Sequence, residues 1–179
     1  MDNLLELLRH RRSTRKFMET EISPELVEKL MQAALMSPAS KSSNPWQFIL
    51  VDQREMLSAL SNCKKAGSKP IENCSLAVVV IADPEKSDVW VEDTSIASIY
   101  LQLEAEDLGL GSCWIQIRNR QNAEGEDSEV VVKRLLEIPD NFRVESIIVI
   151  GMKEVSKSPY DLDNLSWEKV HIGKFNINE

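Results

Sequence analysis

Four cations lie close together near the start of this chain. The stretch RRSTRKF, residues 11–17, holds Arg11, Arg12, Arg15 and Lys16, although the formal net charge of the whole chain is −8 at pH 7. Arginine presents a planar fork of donors to phosphate oxygens, and Ser13 can add a hydroxyl donor. A charge run is also typical of a solvated helix end. The composition nevertheless suits recognition of a small phosphorylated molecule.

A second stretch, SPASKSSNPWQF at residues 37–48, combines small residues with an amide. Small residues allow a flat ring to approach the backbone closely, and Ser40, Ser42 and Asn44 could bond to the polar edges of such a ring. The other interpretation is an ordinary connection from a helix to a strand, because serine, asparagine and proline are common in loops.

A third stretch, EDLGLGSCWIQI at residues 106–117, places closely spaced glycines between a helical pattern and a short apolar run. The glycines follow a helix instead of opening one, which argues against the phosphate loop of a Rossmann fold. Gly109 is predicted to be a helix C-cap and Gly111 to permit a tight turn. This leaves room for a ligand beside the strand that follows.

Other types of site find no support in the sequence. No Ser-His-Asp set, nucleophile elbow or Cys-His pair has a recognisable spacing, so no catalytic side chain is assigned. The two histidines lack metal-ligand spacing, and Cys63, Cys74 and Cys113 form no CxxC pair, so we expect no metal and reduced thiols. The acidic net charge argues against general affinity for nucleic acid.

The elements that position these stretches are predicted from apolar periodicity. Leucines at helical spacing predict a first helix that carries the basic stretch at its C-terminal end. A further helix starts at Ser23-Pro24 and runs to about Met36. Helical patterns also cover residues 54–66, 91–108 and 129–137, and the predicted strands are WQFILV, SLAVVVIA, SCWIQI and ESIIVIG.

This alternation predicts one domain, residues 1–179, with helices covering a sheet. Periodicity alone favours a parallel, doubly wound sheet but does not exclude a mixed one. The segment at residues 152–179 loses strong periodicity yet stays apolar, so we expect it to pack on its own domain or on a partner. No apolar run is long enough to cross a bilayer, and the basic cluster follows the first apolar residues, the reverse of a secretory leader. We therefore expect a soluble, cytoplasmic protein without membrane association.

In this order and with these separations, RRSTRKF, SPASKSSNPWQFILV and LGLGSCWIQI resemble the nitroreductase-like family of FMN-dependent oxidoreductases. The likeness covers nearly the whole chain, including the tail with WEKVHIGKF. The resemblance implies an α+β fold, a nitroreductase-like sandwich in which helices flank a mixed central β-sheet. It also implies a homodimer with FMN sites at the subunit interface and residues 152–179 as a C-terminal arm on the partner subunit.

The resemblance also implies roles for individual residues. Arg11, Arg12 and Ser13 would hold the FMN phosphate and ribityl chain, Arg15 would reach the pyrimidine edge of the flavin, and Lys157 would complete the phosphate site. The loop of Pro38, Ala39, Ser40, Ser42 and Asn44 would come from the opposite subunit and lie against the ring, with Ser42 standing where many family members have asparagine. Trp114, Ile115 and Gln116 would form the strand beside the flavin, although Trp114 is equally suited to core packing.

The implied activity is an oxidoreductase that takes hydride from NADH or NADPH at flavin N5. It would then reduce nitroaromatic, quinone or similar electron-poor acceptors in the same pocket by a ping-pong sequence, the chemistry belonging to the flavin. Two alternatives stay open: a related flavoenzyme that removes halogens or fragments flavin, and a binding protein that holds flavin without turnover.

Overall fold

A central sheet of four strands organises the chain. The computed structural model describes residues 4–175. The strands are β1 (Trp46–Val51), β2 (Leu76–Ala82), β3 (Gly111–Gln116) and β4 (Arg143–Gly151), and their order in the sheet is β1-β2-β4-β3. All three strand pairs are antiparallel. All four strands confirm the predicted apolar runs.

The parallel, doubly wound arrangement that periodicity favours is wrong. β1 ends at Val51, which pairs with Ala77 at the start of β2, so the connection leaves and re-enters at the same end of the sheet. A parallel pair would instead require the chain to cross the full length of the sheet. Among the described residues, the parallel component is a single bridge between Ser13 and Ser112.

Residues 4–175 contain five α-helices, and four of them cover the two faces of this sheet. The helices are α1 (Leu4–His10), which is not among these four, α2 (Pro24–Leu35), α3 (Arg54–Leu60), α4 (Trp90–Asp107) and α5 (Ser128–Leu136). Side chains of α2 and α4 pack on the face that holds Val78 and Ile148, and those of α3 and α5 pack on the face that holds Val79 and Ile147. The strands are therefore apolar on both sides, which explains why they lack the alternation of a half-exposed sheet. The α+β class is confirmed.

The predicted helix at residues 54–66 is too long, because α3 ends at Leu60. The Ser61 hydroxyl and the Asn62 side-chain amide both donate to the carbonyl oxygen of Ser58, at 2.8 and 3.0 Å. Short polar side chains that bond to the last carbonyls compete with the backbone and end a helix. The following residues form a lysine-containing loop instead.

The segment after β4 runs over the surface. Its backbone joins the N-terminal region, where the amide of Glu154 donates to Lys16 and that of Tyr160 donates to Arg9. Further along, Ile172 and Phe175 are 90% and 77% exposed. The same segment also exposes Val155, Leu165, Trp167 and Val170, and a group of exposed apolar side chains is typical of a protein interface. The last residues of the predicted arm, 176–179, lie outside the described residues. No helix within residues 4–175 is long and apolar enough to cross a membrane.

Candidate cofactor site

The basic stretch crosses one end of the sheet as an extended segment. The Thr14 amide donates to the Ser112 carbonyl at 2.8 Å, and the Met18 amide donates to the Met152 carbonyl at 3.0 Å. Its residues therefore lie over the start of β3 and the end of β4. This placement follows from backbone hydrogen bonding and not from the charges themselves.

Two paired glycines make room for this segment. Gly111 and Gly151 lie opposite each other in β3 and β4. A Cβ atom at Gly111 would stand 2.7 Å from the Thr14 side chain, and one at Gly151 would stand 2.9 Å from a ring carbon of Phe17. The predicted tight turn at Gly111 is thus wrong, since this glycine lies within a strand and allows close approach. Gly109 confirms its predicted role: at φ 77° it caps α4, with Leu110 donating to Ala105 at 2.8 Å.

Three cations lie near enough to the buried thiol of Cys113 to influence its pKa. Burial raises the pKa of this thiol, whereas Arg15, a hydrogen bond from Ser13, Lys157 and Arg11 lower it. Within residues 4–175, no carboxylate forms an ion pair with Arg11, Arg15 or Lys157. The fold therefore brings Lys157 to the predicted N-terminal cluster and leaves an excess of positive charge there.

Arg12 lies beside this cluster, against the C-terminal segment. Its guanidinium donates to the Ser158 carbonyl and lies 4.4 Å from the centre of the Tyr160 ring. Arg12 and Lys157 also line a cavity of about 90 Å³. Since a guanidinium carries five N–H donors, Arg12 keeps donors for an anion while it holds the C-terminal segment.

The loop at residues 38–44 lies elsewhere. It enters β1 at Trp46, opposite the last residue of β2, whereas the basic segment lies level with the first residue of β2. The two regions also flank opposite edge strands. Pro38, Ser42 and Asn44 are exposed, and Ala39 and Ser40 are half-buried. One chain therefore does not bring this loop to its own basic cluster.

The outer edge of β3 joins the basic cluster. The Ser112 carbonyl points away from β4 and accepts the amide of Thr14. Because backbone groups alternate along a strand, the N–H and C=O groups of Trp114 and Gln116 also point away from β4. The Ile115 side chain is 2% exposed and belongs to the core, so its side chain is not available to a ligand. The half-buried Trp114 packs on the sheet face that holds Val78 and Ile148, and its indole N–H donates to the Gln116 side chain at 2.8 Å.

A further cation lies at this edge that sequence reasoning missed. The Lys64 ammonium donates to the Gln116 carbonyl at 3.3 Å. Burial lowers the pKa of Lys64, and the nearby Arg120 lowers it further. The only sequence signal was a group of lysines in the loop after α3, a pattern that solvated surface residues also produce.

The chain is similar in sequence to known proteins. A model of the Nitroreductase family matches residues 8–152. A protein of Archaeoglobus fulgidus with the provisional name NADH dehydrogenase/NAD(P)H nitroreductase is 34% identical, over 98% of this chain and 100% of that protein. A similar provisional name belongs to a protein of Methanothermobacter thermautotrophicus, which is 31% identical over 97% of this chain and 88% of its own length.

Solved structures show the same likeness. The FMN-dependent nitroreductase of Clostridium difficile R20291 is 43% identical and has a TM-score of 0.94, over 96% of this chain and 100% of that one. A structure from Parabacteroides distasonis is 27% identical with a TM-score of 0.87, over 96% and 98% of the two chains. These superpositions confirm the predicted sandwich. Since the family model covers well over half of the chain and the relatives extend along nearly all of it, this protein belongs to the nitroreductase family.

Proposed function

We propose that this protein is an FMN-dependent oxidoreductase. It would take hydride from NADH or NADPH and reduce electron-poor acceptors such as nitroaromatics and quinones by a ping-pong sequence. The observation that carries the proposal is a set of cations next to the outer edge of β3, Arg11, Arg15 and Lys157, that form no ion pair with any carboxylate in the described part of the chain. The relatives' names, FMN-dependent and NAD(P)H nitroreductase, support the same cofactor and reductant.

The donor set fits the phosphate end of FMN. Arg11, Arg12 and Lys157 supply positive charge, and Ser13 supplies a hydroxyl beside Cys113. Charge-assisted hydrogen bonds from such groups to phosphate are stronger than neutral ones. An acidic chain that leaves these cations uncompensated at one place is suited to an anionic ligand.

The outer edge of β3 fits the ring end. The amides of Trp114 and Gln116 face outward and offer donors to ring heteroatoms, and Arg15 and Lys64 place positive charge near the strand. When bound, FMN would supply hydride transfer between the reduced nicotinamide and the acceptor. The chain's residues would orient the ring and stabilise negative charge on it, so none needs to act as a nucleophile.

The same proposal includes a homodimer. α1 has no buried residue, and the exposed Leu4, Ile99, Tyr100 and Trp167 would be covered by a partner. Within the predicted arm, residues 152–179, the first part bonds to the N-terminal region of its own chain, and the part after Tyr160 would pack on that partner. The loop at residues 38–44 would then close the other subunit's flavin site, which explains why it lies far from the basic cluster of its own chain.

The first experiment is a visible absorption spectrum after incubation with FMN and desalting, followed by anaerobic NADPH and then NADH. Retained flavin that loses its absorbance with either nucleotide is the expected result. An absence of retained flavin would contradict the proposed cofactor site. Retained flavin that neither nucleotide reduces would contradict the proposed reductant and favour a binding role.

A further inference from the structure

A buried carboxylate connects α4 to the loop at residues 38–44. Asp93 lies in the first turns of α4 and is 2% exposed. Its Oδ1 accepts the backbone N–H of Ser40 at 2.8 Å, and its Oδ2 accepts the hydroxyl of Ser87 at 2.7 Å. The side chain therefore reaches out of its own helix and bonds to two other segments.

The loop that Asp93 holds has an unfavourable backbone conformation. Lys41, Ser42 and Asn44 have φ angles of 52°, 55° and 43°. None is glycine, and residues with a Cβ atom rarely adopt this left-handed region. Three such residues within four positions persist only when the surrounding structure holds them.

The hydrogen bonds within the loop join residues that are close in sequence. The amide of Ser42 donates to Ala39 at 3.1 Å and that of Ser43 donates to Ser40 at 2.9 Å. At its far end, the Pro45 carbonyl accepts the amide of Asp83 at 3.0 Å and joins the loop to the end of β2. The Asp93 carboxylate fixes the near end at Ser40 and joins it to α4, the longest helix of the fold.

We propose that Asp93 is a positioning residue that holds this loop in its left-handed conformation, so that the exposed Pro38, Ser42 and Asn44 meet the flavin of the partner subunit. The inference rests on the proposed function, because it takes the loop as part of a flavin site. Both groups that face Asp93, an amide and a hydroxyl, are donors. A carboxylate can accept from both, whereas an alanine can accept from neither.

The test compares Asp93→Ala with Asp93→Asn. Asparagine keeps one oxygen for the Ser40 amide, and its NH₂ can donate to the Ser87 hydroxyl, so it should restore the loop. Glu92→Ala is the matched control, since Glu92 is an exposed acid next to Asp93 on the same helix. The readouts are FMN affinity by fluorescence titration, visible circular dichroism of bound FMN, and hydrogen exchange of residues 38–44.

For Asp93→Ala we expect a roughly ten-fold weaker FMN affinity, the loss typical of one hydrogen bond to a charged group. We also expect an altered flavin dichroism and faster exchange in the loop, while α4 stays protected. Asp93→Asn and Glu92→Ala should resemble the wild type in all three measurements. A folded Asp93→Ala protein with wild-type affinity, dichroism and loop exchange would overturn the role of Asp93.

Two further outcomes separate the possible failures. If Asp93→Ala does not fold, Ser87→Ala removes one of the two donors instead. It should then give a smaller loss of FMN affinity and faster loop exchange, and unchanged values would overturn the proposal. If the wild type itself retains no FMN, the proposed function fails and this inference fails with it. If the wild type binds FMN and a folded Asp93→Ala protein matches it in affinity, dichroism and loop exchange, only the role of Asp93 is contradicted.

Discussion

Lys153 and Lys157 follow the last strand four positions apart, yet their neighbours differ. The Lys153 ammonium lies 2.6 Å from Oε1 of Glu106, and the side chains of the pair are 19% and 7% exposed. That charge is compensated, and removal of one partner would leave the other buried without a counterion. Lys157 is exposed and forms no ion pair with a carboxylate within residues 4–175. Of the two, Lys157 is the residue that can meet a phosphate.

Replacement of Lys157 should therefore affect phosphate recognition alone. For Lys157→Ala we expect at least a roughly ten-fold increase in the Kd for FMN, because a charge-assisted hydrogen bond is lost. The Kd for riboflavin, which lacks the phosphate, should stay the same. Fluorescence titration with both flavins measures this. An equal loss for both flavins would show that Lys157 does not act through the phosphate.

Arg15 should show the opposite pattern. Its proposed partner is the pyrimidine edge of the ring, so Arg15→Ala should weaken FMN and riboflavin alike, by roughly ten-fold, and slow flavin reduction by NAD(P)H. Lys16→Ala, in the same stretch, removes an equal charge from an exposed neighbour and serves as the control. Unchanged affinity and unchanged reduction kinetics in Arg15→Ala would remove this residue from the site.

At the level of elements, the junction of the basic segment with β3 depends on the space at Gly111. In Gly111→Ala, the new Cβ would lie 2.7 Å from Thr14 Cβ, an atom that cannot move without the backbone. We expect a loss of about 1 to 3 kcal/mol in stability, as for other overpacked sites, together with weaker FMN binding. Thermal unfolding and FMN titration check both effects.

Thr14→Gly in the same chain removes the clashing atoms and should restore part of both losses in Gly111→Ala. Because the two residues are in direct contact, their effects should not be additive. A double variant that is as defective as the sum of its single variants would contradict the explanation by close approach.

A second prediction at this scale concerns the connection between α5 and β4. Glu129 is 6% exposed; burial raises its pKa, but Arg143, the Val144 amide and Lys133 outweigh this and hold the pKa below the ordinary 4.5. Arg143 bonds to both carboxylate oxygens, at 2.7 and 2.8 Å. A lowered folded-state pKa stabilises the fold above the unfolded-state pKa, and that contribution is lost as the pH falls through the folded-state pKa.

Glu129→Gln should therefore lower the stability at pH 7 by about 1 to 3 kcal/mol, between the values for exposed and buried pairs. The difference from the wild type should shrink as the pH falls below 4.5. Thermal unfolding at several pH values measures it. A difference that stays constant from pH 7 to acid pH would mean that the ion pair does not carry the effect.

The sequence allowed the elements to be predicted better than their arrangement. β-branched runs identified all four strands, but β2 is buried at every position, so its pattern does not distinguish a parallel from an antiparallel sheet. The end of α3 depends on side chains of Ser61 and Asn62 that bond back to the helix. The position of Lys64 depends on how that loop folds against β3, and no local pattern determines such a contact.

The candidate site could be predicted in part because its charges are adjacent in sequence. Arg11, Arg12 and Arg15 form one visible cluster, whereas Lys157 joins them only through the fold, and the resemblance to a family was needed to connect them. The same holds for the loop near Ser40, whose serines are ordinary loop residues. Its anchor, Asp93, lies in another helix, and sequence gives no signal for that contact.

For the molecule as a whole, the distance between the basic cluster and the loop argues for two subunits. Asp93 holds the loop, and Glu106 holds Lys153 beside the cluster, so α4 separates the two regions. Residues 93 and 106 are 13 positions apart, which corresponds to about 20 Å along an α-helix. A site that uses both regions would therefore take the cluster from one chain and the loop from another.

A heterodimer of two defective subunits tests this directly. One subunit would carry Arg12→Ala and Arg15→Ala in the cluster, and the other Ala39→Trp, a bulky side chain in the loop. Each homodimer should bind FMN weakly. If sites are shared, the heterodimer has one site with both defects and one site with none, so it should bind one FMN per dimer with wild-type affinity.

The two chains would be coexpressed with different affinity tags, purified through both tags, and titrated with FMN. A heterodimer of two wild-type chains, prepared in the same way, is the control and should bind two FMN per dimer. If each site were formed within one chain, both sites of the mixed dimer would stay defective and no tight binding would appear. If no protein were recovered through both tags, the dimer itself would be contradicted, because the exposed apolar side chains of α1 and the C-terminal segment would then have no partner of their own kind.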